Sequence, residues 1–402
     1  MKNFIFISPN FPSTYWRFCI ALRDCGFNVL GIGDCPWFEL SDEVKEALTE
    51  YYFCYDLSKD EELIQAISYF QEKYGKIDYL ESNNEFWLEQ DAKMRTIFGI
   101  TTGPDLEIIK NYKQKSLEKY FYEKAGVKAA RWTLDTSFEK VEAFANEVGY
   151  PIFAKPDNGV GAQNTFKIKN IEDLQAFFKE KDPHKPYIVE EFIDGQIISF
   201  DGITNSNAEP IFYTHHVFIN DNSTIVHEKL DDLYYCVPTN LVSKDVVEAG
   251  VKTLKAFDVK NRFFHLEFFR LNVDHPSLGP KGTVVALEAN MRPAGGYTPD
   301  LINFANSVNC YNIYAQSIAY DENREYMNYD KFYAAAISRR DELHYEHEFK
   351  EVLKKYKNNI CFYGRYPKAI SDDMGNDFIF AKFKTFDEML EFDKFARGKK
   401  GE

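Results

Sequence analysis

Several common signatures are missing from this chain, and each absence removes a class of function. The seven cysteines (Cys19, Cys25, Cys35, Cys54, Cys236, Cys310 and Cys361) are odd in number and scattered, and no Cys-x-x-Cys occurs. That pattern argues against a disulfide framework or a zinc ribbon and for reduced thiols in a cytoplasmic protein. Long apolar runs are also missing. Phe4-Ile-Phe-Ile-Ser8 is too short for a signal core or a membrane span, so no membrane partner is expected. Positive charge is scarce: 48 Lys and Arg stand against 63 Asp and Glu, a net charge of −15. A field of that sign disfavours nucleic acid, although it leaves room for a local basic pocket. No G-x-G-x-x-G follows the first apolar run, where Ser8-Pro-Asn-Phe-Pro12 stands instead, so a dinucleotide-binding reading is rejected. Three histidines (His215, His216, His227) and Asp231-Asp232 crowd the polar stretch from Ile211 to Cys236, but their spacing fits no standard zinc pattern. That stretch reads as irregular, with contact to a substrate as its expected role.

What is present is a globular chain of 402 residues, 45% hydrophobic and 16% aromatic, long enough for two or three domains. Residues 1–110 alternate strands (Asn3 to Ile7, Phe27 to Ile32, Ile77 to Leu80) with helices (Ser13 to Cys25, capped by Ser13, and Glu61 to Tyr74). This rhythm predicts a small parallel α/β domain. Glu81-Ser-Asn-Asn-Glu85 falls at a strand end, where such sheets bind ligands, and reads equally well as a polar loop. Asn111 to Lys124 reads as one helix stopped by Gly126, with Lys115 in its first turn, where taken by itself it reads as a solvated lysine. Residues 321–402 read as a further small α/β lobe.

The densest chemistry lies in Val284-Val-Ala-Leu-Glu-Ala-Asn-Met-Arg-Pro-Ala-Gly-Gly296. Its start is apolar and partly β-branched, hence a buried strand. Side chains alternate along a strand, so Glu288, Asn290 and Arg292 share a face. A carboxylate and an amide oxygen suit Mg²⁺, and a guanidinium suits phosphate or carboxylate. Arg262 to Leu271 reads as the partner strand of a hairpin whose symmetric closure sets Glu267 across from Glu288. Like charges so placed repel, and a divalent cation between them removes the problem. A strand ending in Lys155 runs into Asp157-Asn-Gly-Val-Gly-Ala-Gln-Asn164 and then another strand, not into the helix of a Walker loop. Backbone N–H groups at Gly159 and Gly161 could cradle phosphates above Lys155, with Asp157 to Thr165 as a lid. Tyr187-Ile-Val-Glu-Glu-Phe-Ile-Asp-Gly195 reads as a strand whose Glu190 and Glu191 face opposite ways, one to solvent and one to a ligand, while Phe192 and Ile193 could flank a flat base.

Lys115, Lys155 with its glycine loop, the Glu190-Glu191 strand, Glu267 and Glu288-x-Asn290-x-Arg292 follow the order and spacing of the ATP-grasp superfamily. The resemblance covers roughly Lys110 to Ile318. It is nearest to carboxylate–amine ligases and more distant to D-alanine–D-alanine ligase and biotin carboxylase. It implies an ATP-grasp domain of two subdomains over residues 111–320, flanked by the α/β regions on either side. By position it implies that Lys115 and Lys155 contact ATP phosphates, that Glu190 to Ile193 hold adenine, that Glu267, Glu288 and Asn290 bind Mg²⁺, and that Arg292 stabilises the transferred group. Gln114 stands where the family often has Asp. Ile197 stands near the usual ribose acid, leaving Asp201 as an open candidate. The implied activity is ATP-dependent joining of a small carboxylic acid to an amine through an acyl phosphate. A bicarbonate-activating enzyme like biotin carboxylase and a non-catalytic nucleotide-binding protein are the rivals. The sequence leaves the substrates and the oligomeric state open, a homodimer included.

Overall fold

The computed structural model describes residues 1–159, 164–219, 230–368, 371 and 374–400. Three sheets organise them. The first is parallel, in the order β3-β2-β1-β4, from β1 (Lys2–Ile7), β2 (Phe27–Gly33), β3 (Glu50–Phe53) and β4 (Ile77–Glu81). Its central strands are apolar on both faces because α1 (Trp16–Asp24), α2 (Asp42–Ala47), α3 (Asp60–Tyr74) and α4 (Leu88–Phe98) accompany it. Helix α1 starts later than Ser13 predicts. Two turns, closed by Phe11 N–H to Ser8 O and Tyr15 N–H to Pro12 O, use up the expected first helical residues. Ser13 Oγ instead lies 3.1 Å from the Tyr297 hydroxyl.

The predicted helix from Asn111 to Lys124 is two helices, α5 (Leu106–Lys113) and α6 (Lys115–Ala125), the second ending at Gly126. Gln114 between them is extended, at φ −101° and ψ 108°. The second sheet is antiparallel, in the order β5-β8-β6-β7, from β5 (Trp132–Leu134), β6 (Ile152–Pro156), β7 (Phe166–Ile168) and β8 (Tyr187–Glu191). Helices α7 (Phe138–Val148) and α8 (Ile171–Glu180) cover it through a core that includes Val141, Ile152, Leu174 and Phe177.

The third sheet has eight antiparallel strands. They are β9 (Gly195–Thr204), β10 (Pro210–Phe218), β11 (Leu233–Val237), β12 (Phe263–Leu271), β13 (Val284–Asn290), β14 (Tyr333–Arg339), β15 (Ile360–Arg365) and β16 (Asp377–Phe383), in the order β13-β12-β9-β10-β11-β14-β16-β15. The stretch read as irregular thus supplies two strands, β10 and β11. Polar composition misled there because His216 and Thr214 are buried polar residues on β10, bonded inside the fold. His227 lies outside the described residues. Helix α9 (Lys244–Phe257) packs near β9, and the expected helix from Asp300 to Ile318 is split into α10 (Thr298–Asn306) and α11 (Cys310–Tyr320). Ser307 takes a left-handed φ of 52° at the break, and Asn309 caps the second helix. The strands of the last 80 or so residues extend this same sheet, with α12 (Phe349–Lys355) and α13 (Phe386–Arg397) beside them, so the expected lobe is continuous with the large core. Phe18 of α1 packs against Phe263 of β12 and Tyr311 of α11, fusing the N-terminal sheet to the large one.

Candidate active site

The β12–β13 hairpin sets Glu267 directly across from Glu288 and His265 across from Asn290. Beyond that pair a bulge leaves Leu287 unpaired and shifts the register by one. Because β13 is the edge strand, its outer backbone needs other partners. Ala286 N–H donates to Lys128 O at 2.7 Å, and Ala289 N–H donates to Glu118 Oε2 at 3.0 Å. Arg262 Nε donates to Met291 O at 3.1 Å just past the strand. Arg292 follows, and one of its terminal nitrogens donates to Asn290 Oδ1 at 3.1 Å. Glu288, Asn290 and Arg292 therefore stand together, as the strand alternation predicts.

Helix α6 carries most of the remaining charge. Lys115 at its first turn is buried, not solvated, with Nζ 3.1 Å from Glu288 Oε1 and 3.5 Å from Gly159 O. Residues three and four positions on share its helix face. Glu118 there accepts from the Ala289 N–H, and Lys119 pairs with Glu190. Lys155 Nζ reaches the other oxygen of Glu190 at 2.8 Å. The N-terminus of α6 also clamps the start of the glycine loop: Asp157 accepts from Ser116 N–H (2.7 Å), Ser116 Oγ (2.8 Å) and Gln114 Nε2 (2.9 Å). Gly159 lies beside Lys115; residues 160–163 of the expected lid, Gly161 among them, lie outside the described residues.

The Glu190-Glu191 strand corrects one expectation. Both glutamates are buried. They do face opposite ways, but Glu191 turns to Arg131, accepting from its backbone N–H and its Nε at 2.8 Å each. Glu190 alone joins the lysines. Lys167 lies over the Phe192 ring, 4.3 Å from its centroid, and Ile193 packs with Ala130, Leu278 and Val285. Asp201 holds His265 and His216 with its two oxygens, so it is not a free acid for a ribose.

One site group comes from the loop after β4 of the N-terminal sheet. Glu85 lies between Lys113 Nζ and Arg292 Nε, each 2.7 Å away. Sequence reasoning singled out this strand end without choosing a role for Glu85, and it missed Lys113, Glu118 and Lys119. The last two were recoverable from their spacing to Lys115 on one helix face. Glu85 was not, because its partners are remote in the chain.

Electrostatics follow from burial among these cations. Burial opposes the charge on Glu288, but Lys115 and Lys155 hold its carboxyl below the ordinary value. Glu190 is likewise opposed by burial and brought down to about 2 by Lys119 and Lys155. Glu118 goes the other way: burial first, and the charge of Glu288 second, push it up to about 8. The cluster therefore keeps one carboxyl neutral beside one charged one.

The donor set fits a hard divalent cation. Two carboxylates and an amide oxygen lie on one face of the hairpin, and a cation between Glu267 and Glu288 would relieve their repulsion. Among the described residues no group of three or more His, Cys, Asp or Glu side chains is placed to hold a metal. Two protein carboxylates with further oxygens from phosphate and water is the arrangement Mg²⁺ favours.

The chain has the ATP-grasp fold, as its motifs implied. No family model matches it. The L-amino acid ligase from Bacillus licheniformis superposes with a TM-score of 0.71 at 14% identity, over 98% of both chains. A biotin carboxylase domain from Hydrogenobacter thermophilus, solved with MgADP and bicarbonate, gives 0.68 at 16% identity over 98% of this chain and 89% of that one. In sequence, the alanine–anticapsin ligase of Bacillus subtilis is 24% identical over 282 residues, 63% of this chain and 58% of the relative. D-alanine–D-alanine ligase B of Clostridium perfringens is 32% identical over 99 residues, 24% of this chain and 32% of that one. The chain thus matches less than two thirds of the length of these curated relatives. Among the described residues no helix is long and apolar enough to cross a membrane.

Proposed function

We propose that this protein is an ATP-dependent carboxylate–amine ligase that forms an amide through an acyl phosphate and releases ADP and phosphate. One observation carries the reading: Glu288 on the edge strand β13 faces Glu267 on β12 and pairs with Lys115, which also reaches Gly159 O of the glycine loop, while Arg292 lies against Asn290. The sequence likeness to an alanine–anticapsin ligase and the fold likeness to an L-amino acid ligase support it.

In this reading a substrate carboxylate attacks the γ-phosphorus of ATP, and an amine then displaces phosphate from the acyl phosphate. Glu267, Glu288 and Asn290 would hold Mg²⁺, which when bound supplies charge neutralisation for the moving phosphoryl group. Lys115 and Lys155 exchange their carboxylate partners for phosphate oxygens. Arg292 offers a planar fork that can bridge the acyl and phosphoryl oxygens and hold them in line. Glu190 holds Lys155 and Lys119 in place, and Glu190 to Ile193 border the adenine. The substrates are a small carboxylic acid and an amine, and the setting is cytoplasmic, in keeping with seven unpaired cysteines.

The test is to supply Mg·ATP with pairs of amino acids or small acids and amines and to measure products. ADP and phosphate, released only when both partners are present, are expected. AMP and pyrophosphate would overturn the acyl-phosphate route. Bicarbonate-dependent turnover without an amine would favour the carboxylase rival, and no turnover with tight nucleotide binding would favour a non-catalytic role.

A further inference from the structure

We infer that His265, braced by Asp201, is a positioning residue that fixes the Glu267 carboxylate. The inference rests on the proposed function, in which Glu267 holds the metal. In the β12–β9 register Glu267 lies across from Ser199 and His265 across from Asp201, so all four side chains face one side of the sheet. His265 Nε2 lies 3.1 Å from Glu267 Oε1, and His265 Nδ1 lies 2.6 Å from Asp201 Oδ1. The other oxygen of Asp201 lies 2.8 Å from His216 Nδ1 on β10 and accepts from the Ser199 hydroxyl, which also accepts from His216 N–H at 3.1 Å. The chain Glu267–His265–Asp201–His216 thus crosses three strands.

Burial says which end of this chain matters. Side-chain exposure is 0% at His216, 2% at Asp201, 6% at His265 and 15% at Glu267. Only the Glu267 end opens toward the site. Placing an aspartate and two histidines in a sheet core is expensive, and apolar residues of similar volume would pack there at lower cost. The proposed phosphoryl chemistry employs none of the three. What they do accomplish lies at the outer end: a ring bonded at both nitrogens cannot turn, so the Glu267 carboxylate plane is set. Partners that orient a ligand in this way typically account for about 10–100-fold in metal affinity.

The experiment is an electron-paramagnetic-resonance titration of the full chain with Mn²⁺, with and without ADP. His265→Asn places an amide near Asp201 but does not reach Glu267; His265→Gln reaches Glu267. We expect His265→Asn to weaken ADP-dependent Mn²⁺ binding by about 10–100-fold, with metal-free ADP affinity unchanged, and His265→Gln to recover most of the loss. Mn²⁺ binding by His265→Asn equal to that of the unmodified chain would overturn the inference and leave the proposed function standing. Absence of ADP-dependent Mn²⁺ binding in the unmodified chain would overturn both. If His265→Asn does not fold, Ser199→Ala loosens Asp201 more gently: a weakening of about threefold or more supports the inference, and none overturns it.

Discussion

Glu81, buried, and Glu85, half-buried, lie four residues apart at the same end of β4, each held between two cations, yet their surroundings differ. Arg262 lies 2.5 Å and Arg95 3.3 Å from Glu81. Lys113 and Arg292 each lie 2.7 Å from Glu85. Burial opposes the charge on both carboxyls, and the cations bring both down to about 2. Acid cannot tell them apart. Each contributes stability that is complete above the ordinary carboxylate value and drains away as pH falls toward 2. The difference lies in what else the cations do. Arg95 also donates to Leu80 O and Pro104 O, and Arg262 to Met291 O, so Glu81 sits in a sealed brace of backbone carbonyls. Arg292 has Asn290 beside it and a partly open flank. Identical pairing chemistry makes a brace where both guanidinium groups are buried among backbone carbonyls, and a candidate site where Arg292 reaches Asn290 beside a partly open flank.

The largest expected effect comes from breaking the brace. Glu81→Gln leaves two buried guanidinium groups without a countercharge and should cost about 3–5 kcal/mol of stability, read by calorimetry, with turnover per folded molecule nearly intact. A melting temperature within a degree or two of the unmodified protein would end the distinction drawn above. Next comes Arg292→Lys, which keeps the charge beside Glu85 but loses the fork. Turnover should fall on the order of 100-fold, about 2.7 kcal/mol of transition-state stabilisation, while stability holds because Lys113 still satisfies Glu85. A destabilised variant of normal turnover would place Arg292 with the braces. The acid that pairs with Arg292 is Glu85, from the loop after β4.

How much of this was legible depended on sequence distance. The hairpin pairing of Glu267 with Glu288 could be read because it is local: two strands, one loop, and alternation fix which side chains meet. The bulge at Leu287 could not, since a single extra residue leaves no compositional trace. Lys115 looked like a surface lysine because periodicity reports a helix face without saying what covers it. Its burial comes from β13, which is more than 160 residues away in the chain. The polar stretch around His215 and His216 failed for a related reason. Composition treats a histidine as a sign of solvent, whereas Asp201 makes His216 a core residue. The fold class was readable because it repeats across hundreds of residues; the internal ion pairs were not, because each joins two distant single residues.

The smallest expected effect tests whether the open flank is an exchangeable site. Lys115 Nζ occupies Glu288 Oε1 at 3.1 Å, at the position a divalent cation would need. Metal binding without nucleotide must therefore displace an ammonium from a half-buried carboxylate, at a cost. Nucleotide phosphates offer that ammonium another partner, so nucleotide and metal should each strengthen binding of the other by the same factor. Lys115→Met removes the competitor. Mn²⁺ alone should then bind more tightly, on the order of tenfold or about 1.4 kcal/mol, while ADP binds more weakly and its enhancement of Mn²⁺ binding shrinks. Glu81, sealed among arginines, admits no such exchange. Weaker binding of Mn²⁺ alone by Lys115→Met would mean that the lysine holds Glu288 in shape rather than competing for it, and the Lys115–Glu288 pair would then belong with the brace at Glu81.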